Sequence, residues 1–282
     1  MQTPRDENVQ HREFLRNSMA EGVDREVMRF AAFCADRLVT YLHPESGDKI
    51  LDVSTGTGAL ALAASQAVGP AGRVTAVDTA ESLLARLESK ISQFGIANID
   101  VHTMDAKRLD FRRDYFHHTA SSLGLCWLPD PHVAIREWVR VTRPGGSVNL
   151  AVFAQRTFQP QLDLLLLRVI QLRGGRVVHV PWAQMSRPEP LRASLQDAGL
   201  VDVAVQEEQL GYHLRDAQEW WEVIWHSALR LLVEQVPAAQ RDQLRAEHLA
   251  EVAALATADG LWLDVAVQFA RGHKPMRAVT RN

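Results

Sequence analysis

The sequence is short of several things, and each shortage excludes something. Of its 282 residues only two are cysteine, Cys34 and Cys126. That is too few for a disulfide framework and fits a reducing compartment. No apolar run approaches the roughly 20 residues that a membrane helix needs. The longest, Leu162 to Ile170, is interrupted by Asp163 and Arg168. Positive charge is not in excess. Thirty-one Lys and Arg face 34 Asp and Glu, a formal net charge of -3. The basic footprint of a nucleic-acid binder is therefore missing. One small basic cluster, Lys107, Arg108, Arg112 and Arg113, reads as a solvated face. No Cys/His group has zinc-ligand spacing, so no metal is expected. Internal repeats and low-complexity tracts are lacking too. The opening stretch MQTPRDENVQHREF is polar and does not read as a signal peptide. A cytoplasmic protein is expected.

What is present is a regular alternation. Residues 8–43 read as helical, up to Pro44 and the turn Glu45-Ser46-Gly47-Asp48. Short apolar strands are predicted at 49–53, 73–77, 99–103, 116–122, 147–153, 201–207 and 261–270. Helices are predicted between them at 60–68, 81–94, 133–141, 189–198, 217–236 and 241–256. Strands alternating with helices at this spacing predict an α/β fold: a Rossmann-like, seven-stranded, mostly parallel sheet with helices on both faces. The rhythm breaks after Phe153. The reading is one domain over 1–282: N-terminal helices at 1–44, a cofactor-binding core at 46–153, an inserted lid at 154–188, and the C-terminal half of the sheet with its helices at 189–274.

The first chemical signal is Asp52-Val53-Ser54-Thr55-Gly56-Thr57-Gly58, set directly between a strand and a helix. Ligands bind in such crevices, at the carboxyl ends of parallel strands. Small residues let the backbone approach a ligand, and a helix N-terminus offers free N–H groups. The second signal is Asp78, ending the second strand, where a carboxylate can accept from both ribose hydroxyls. Gly56, Gly58 and Asp78 would serve a dinucleotide equally well. Asp52 and the Met104-Asp105-Ala106 segment discriminate. Asp52 can help neutralise an ammonium group, and Asp105 can accept from an adenine amino group beside an apolar contact.

These residues together resemble the class I S-adenosylmethionine-dependent methyltransferases, in their ubiquinone/menaquinone-biosynthesis-like branch. ILDVSTGTGALALA is similar to that family's first motif, VTAVDTAESLL to its second and HTMDAKRL to its third. SSLGLCWLPDPHVAIREWVRVTRPGGSVNLAVF is similar to the region from the fourth strand to the fifth, with its RPGG turn. The resemblance spans Ser46 to Lys274. It implies that Ser54, Thr55, Gly56, Thr57 and Gly58 line the methionine portion of the cofactor, with Asp52 near its amino group. It implies that Asp78 holds the ribose with Thr79 and Leu83 beside it, that Met104, Asp105 and Ala106 frame the adenine, and that Ser121 and Ser122 lie under the sulfonium. Six positions depart from the pattern. Ser54 stands where glycine is usual, His117 where aspartate is frequent, His118 and Thr119 where plain apolar residues are usual, and Cys126-Trp127 where two histidines are frequent.

Methyl transfer needs orientation and a dry site, and a base only if the acceptor keeps its proton. Histidines 117, 118, 132, 213 and 226 are candidates. His117 is the catalytic expectation, placed by the resemblance near the methyl-donor end of the fourth strand. His117 and His118 are adjacent and so expected on opposite faces of that strand. Trp220, Trp221 and Trp225 read either as core or as an aromatic wall for an apolar acceptor. The leucines of 162–167 read as its other wall, as core, or as a homodimer contact. The expected acceptor is a small, largely apolar molecule, aromatic or quinone-like. Two alternatives stand beside this: a nicotinamide-dependent oxidoreductase, and a non-catalytic adenosyl-cofactor-binding protein.

Overall fold

The computed structural model describes residues 14–176, 178 and 180–276. Seven strands form the main sheet: β1 (Lys49–Val53), β2 (Arg73–Asp78), β3 (Ile99–Thr103), β4 (Phe116–Ser122), β5 (Thr142–Phe153), β6 (Val201–Gln209) and, last in the chain, β9 (Ala266–His273). Their order is β3-β2-β1-β4-β5-β9-β6. The first five pair in parallel, and β9 runs antiparallel to both β5 and β6. The chain builds outward from β1 to β3, then returns to lay β4 on β1's other side. That reversal opens a crevice at the carboxyl ends of β1 and β4, where doubly wound sheets bind ligands.

Side chains alternate across the sheet and feed two cores. Ile50, Ala120, Ala151 and Phe153 face one. Leu51, Val53, Phe116, Val148, Leu150 and Val152 face the other. The first core is covered by α1 (Phe30–Leu42), α2 (Ala59–Val68) and α3 (Glu81–Phe94). The second is covered by α4 (Pro131–Val141), with its buried Trp138, and by Leu191 and Leu195 of α6 (Pro188–Asp197). Between these two helices lies α5 (Gln161–Leu172), and after β6 come α7 (Ala217–Trp225), α8 (Arg230–Val233) and α9 (Arg241–Ala253). Caps explain several starts. Asp130 accepts from Val133 N–H with Pro131 in the first turn of α4, and Asp216 accepts from Glu219 N–H at α7. Among the described residues no helix is long and apolar enough to cross a membrane.

Four expected elements differ. The N-terminal helical stretch is interrupted: residues 14–19 are helical, 20–25 turn, and α1 starts only at Phe30. The break falls at Gly22, where a Cβ would sit 1.9 Å from the ring of His226. The expected strand 261–270 is two. Leu261–Leu263 (β8) pairs with Tyr212–Leu214 (β7) in a small separate sheet, and only Ala266 onward joins the main one. The expected helix 217–236 ends at Trp225, and Ser227 Oγ accepts from Leu229 N–H before α8 begins. The Arg143-Pro144-Gly145-Gly146 turn is the irregular start of β5, with Gly145 at φ 76°.

Candidate active site

The crevice holds two cavities. The larger is about 320 Å³ and is lined by the glycine loop, the segment from Arg16 to Ala32, the stretch from Ser122 to Trp127, Phe153, and His226, Ser227 and Ala228. The smaller is about 80 Å³ and is lined by Asp78, Thr79, Met104, Asp105, Ala106 and Lys107 with Leu128 and Pro129. Arg16, Ser54 and Trp127 line both.

The glycine loop is shaped by backbone demands. Ser54, Gly56 and Gly58 all have positive φ, at 58°, 58° and 86°. A Cβ on Gly58 would lie 2.2 Å from Leu87 Cδ1, so that position requires glycine twice over. Ser54 carries the same left-handed geometry with a side chain, where glycine is usual in the family resembled above. Gly124 makes room for it: a Cβ there would lie 2.6 Å from Ser54 Cβ and 2.5 Å from Ser121 Oγ. Gly58 caps α2 with no side-chain hydrogen bond, leaving the helix N-terminus open to the loop.

Two carboxylates define the polar floor. Asp52 Oδ2 accepts from Thr55 Oγ1 at 2.6 Å, while Oδ1 is buried with no partner among the described residues. Burial raises its pKa to about 7, against the hydrogen bond from Thr55 and a weaker backbone contact from Ala61, and the nearby Asp78 charge adds to the rise. Such a carboxyl suits a cationic guest, which would satisfy the orphaned oxygen and restore its charge. Asp78 already accepts three times, with room left on Oδ1. Oδ1 accepts from Ala80 N–H and Oδ2 from Gly56 N–H, both at 2.9 Å. Arg16 Nη2 also reaches Oδ2 at 2.5 Å, inside a pair whose side chains are 10% and 0% exposed. Arg16 Nη1 approaches Thr79 Oγ1 at 3.5 Å, and its guanidinium lies 5.7 Å from the Trp127 ring centre.

Arg16 is one of several anchors that hold the segment before α1 over the crevice. Asn17 Oδ1 accepts from the backbone and hydroxyl of Ser82. Asp24 accepts from Thr57 Oγ1 at 2.6 Å and Lys90 Nζ at 2.8 Å, with Arg86 at 3.3 Å. The cover of this site is therefore N-terminal. That corrects the expectation of a lid at 154–188: none of its described residues lines the larger cavity. α5 instead packs into the core through Leu162, Leu165 and Val169, and Arg168 ties it to Glu247 and Glu251 of α9. The break after Phe153 signalled an insertion, but nothing in composition said which face it would cover.

Most of the residues expected at the cofactor come together. Asp52, Ser54, Thr55, Gly56, Thr57, Leu83 and Ser122 line the larger cavity. Asp78, Thr79, Met104, Asp105 and Ala106 line the smaller. Gly58 and Ser121 line neither. Gly58 shapes the loop behind it, and Ser121 lies buried beneath with Oγ unpartnered among the described residues. The two cavities thus bring together a buried carboxyl at Asp52, a second carboxylate at Asp78, and an apolar slot with a carboxylate at Met104 and Asp105.

His117 does not belong to it. It is the second residue of β4, so it sits at the amino end of a parallel strand whose carboxyl end forms the crevice. Its Nδ1 accepts from Lys49 N–H at 3.0 Å, and Nε2 lies 3.5 Å from Asp48 Oδ1. Burial and Arg143 lower its pKa. The catalytic expectation for His117 is withdrawn on this geometry. Nor do His117 and His118 part cleanly to opposite faces. Pairing with β5 shifts between Phe116 and His118, and both rings approach Asp48. The tryptophans also sit elsewhere. Trp220 is buried and donates to His248 Nε2, and Trp221 stacks with Trp225 beside a neighbouring groove that shares only His226 with the larger cavity. Sequence reasoning missed Arg16 and Asp24, whose partners lie 62 and 33 residues away. Among the described residues no three His, Cys, Asp or Glu side chains converge as metal ligands.

Comparison with known proteins agrees with this architecture. The ubiE/COQ5 methyltransferase family matches residues 27–164. The demethylmenaquinone methyltransferase of Geobacillus kaustophilus is 30% identical over 182 residues, covering 60% of this chain and 78% of that protein. Its counterpart from Staphylococcus aureus is also 30% identical, with 75% of that protein covered. Among solved structures, the YcgJ protein of Bacillus subtilis superposes with a TM-score of 0.61 at 19% identity, covering 86% of this chain and 98% of that one. A SAM-dependent methyltransferase from Aquifex aeolicus gives 0.51 at 19% identity, over 68% of this chain and 90% of that one. The structural likenesses carry the fold, and the sequence relatives carry the family. The chain belongs to the ubiE/COQ5 methyltransferase family and is an S-adenosylmethionine-dependent methyltransferase.

Proposed function

We propose that the acceptor is a small, largely apolar molecule, aromatic or quinone-like, methylated inside the larger cavity. One observation carries this reading. The cavity of about 320 Å³ that adjoins the glycine loop is walled by Met19, Val23, Met28, Phe30, Trp127 and Phe153. Its size is at the lower end of small-molecule pockets, and such pockets are mostly apolar with a few placed polar groups. The relatives named as demethylmenaquinone methyltransferases favour the same class of acceptor. A net charge of -3 offers a phosphate backbone little general attraction.

In this reading the cofactor spans both cavities. Its adenine lies by Met104, Asp105 and Ala106, its ribose on Asp78 and Thr79, and its methionine portion along Ser54 to Gly58 with the ammonium on Asp52. When bound it supplies a methyl group already activated on a sulfonium. The chain's own contribution is to orient the two partners and keep water out. Phe30 and Phe153, with ring centres 5.7 Å apart, form a rigid apolar corner for the acceptor. A cytoplasmic location belongs to the same reading, as does the lack of any nucleic-acid partner.

The test is turnover of a panel of phenols, quinols, amines and thiols, run beside RNA and protein, with products read by mass spectrometry. Methylation of aromatic hydroxyl compounds or quinols is expected. Turnover of RNA or protein alone would overturn the assignment.

A further inference from the structure

We propose that His226 is the acceptor-side base, and that the acceptor carries an acidic aromatic hydroxyl whose proton this residue takes. The inference rests on the acceptor class proposed above and deepens it.

The other candidate histidines are placed elsewhere. His117 and His118 meet Asp48 at the far end of the sheet, His132 pairs with Ser194, and His213 packs on Trp262. His226, in the link between α7 and α8, lines the larger cavity with Ser227 and Ala228, and it also borders the groove beside Trp221 and Trp225. Its ring is held in place. It packs on Gly22 so closely that a Cβ there would lie 1.9 Å from Nδ1 and 2.2 Å from Cε1. Only glycine in the covering segment permits this seat. Nδ1 is buried with no hydrogen-bond partner among the described residues. Nε2 is therefore taken as the accepting nitrogen, in the tautomer that carries its hydrogen on Nδ1.

The remaining ionisable groups around the cavity are mostly spoken for. Arg16 is on Asp78, Asp24 on Thr57 and Lys90, and Arg25 on Glu222. Arg29 donates to the carbonyls of Glu26 and His213, and Asp52 accepts from Thr55. Glu26 stands exposed at the rim. The charges facing His226 come from three elements: Arg25 in the covering segment, Glu222 on α7 and Arg230 on α8. Burial and the two arginines lower its pKa and Glu222 opposes them, so the ring is neutral at neutral pH and free to accept a proton.

The transfer balances without a further reagent. The acceptor gives one electron pair to the incoming methyl carbon. Its O–H pair stays on the acceptor as the proton moves to Nε2. The pair of the broken methyl–sulfur bond remains on sulfur. The imidazolium then releases its proton to water.

The experiment uses the full chain with S-adenosylhomocysteine and 4-nitrophenol as an aromatic hydroxyl probe. In protein carrying 15N-labelled histidine, the His226 ring signals should move toward the protonated form when the probe binds, and the probe's phenolate absorbance should rise. In His226→Asn the absorbance change should vanish while S-adenosylhomocysteine affinity is kept. With a phenol that the wild type methylates, kcat should fall by about 10²–10⁴-fold, the usual contribution of a positioned base. The acid limb of the wild-type pH profile, set below the ordinary histidine range, should disappear with it. Probe binding that leaves the His226 signals unmoved would overturn this inference alone. Failure of the wild type to bind the probe would overturn the aromatic-acceptor reading and this inference with it. The wild-type spectra decide the matter even if His226→Asn folds poorly.

Discussion

Replacing Asp78 by alanine strands a buried guanidinium. Arg16 would lose the carboxylate 2.5 Å away, in surroundings that leave its side chain only 10% exposed. Breaking a buried pair by removing one partner costs about 3–5 kcal/mol, chiefly for the uncompensated charge. Arg16 sits in a segment before α1 that can yield outward, so the lower end of that range is expected. Ala80 N–H, also buried, loses its acceptor. Arg16→Met alone should cost less, because Asp78 keeps the N–H groups of Gly56 and Ala80. The double variant is the informative one. With both charges gone, only the orphaned backbone donors remain, at about 1–3 kcal/mol. It should therefore be more stable than Asp78→Ala despite carrying one more substitution. Urea denaturation of the four proteins gives the cycle. Binding gives an independent reading. Asp78→Ala and the double variant should lose about 1–3 kcal/mol of S-adenosylhomocysteine affinity, roughly 5–150-fold, as the ribose loses a charged acceptor. Arg16→Met should bind no more weakly than the wild type, since it frees Oδ2. Additive destabilisation, or full affinity without Asp78, would refute this account of the site.

Three further outcomes follow from the same geometry. Ser54→Gly should raise stability by about 1 kcal/mol or less, because relief of a left-handed serine at φ 58° exceeds the entropy cost of glycine; a lowered Tm would contradict this. Asp52, raised to about 7 from 3.8, binds a proton more tightly folded than unfolded. Its contribution to stability is thus full below about pH 4 and is lost as pH rises through about 7. A cofactor ammonium reverses that preference. Binding of S-adenosylmethionine should therefore release a proton and weaken as pH falls below about 7, read by calorimetry in buffers of different ionisation heat; no proton release would count against Asp52 as the partner. In hydrogen exchange, residues 14–29 should gain protection with S-adenosylhomocysteine while 161–172 do not change; the reverse would restore the lid that sequence suggested.

Local signals were legible in the sequence and long-range ones were not. The loop from Asp52 to Gly58 could be read because its chemistry is contiguous and its strand–turn–helix setting is fixed by neighbours. Most of the seven-stranded sheet could be read because central strands such as β1 and β2 are short buried runs ended by turn residues, whereas the last strand was expected at 261–270 and joins the sheet only from Ala266. His117 misled because a residue type was matched without asking which end of β4 it occupies: four residues separate it from Ser122, the span from the closed end of the sheet to the crevice. The cover was misplaced for a related reason. An apolar helix such as α5 satisfies the pattern of a lid and of a core element equally, and Arg168 shows which it is only once Glu247 and Glu251 are brought beside it. Arg16 gave no local sign of its role, since its partner lies 62 residues on and no period links them. Gly22 and His226 are of the same kind. Each is ordinary alone, and together they place a ring against a backbone that has no Cβ.

The most direct test of the site is a crystal structure of the full chain with S-adenosylhomocysteine and an aromatic acceptor from the panel. The account predicts a ligand spanning both cavities, ribose hydroxyls on Asp78, the amino group on Asp52, and the acceptor ring between Phe30, Phe153 and Trp127 with its hydroxyl toward His226. A cofactor bound away from Asp78, or an acceptor seated in the groove beside Trp221 and Trp225, would contradict it.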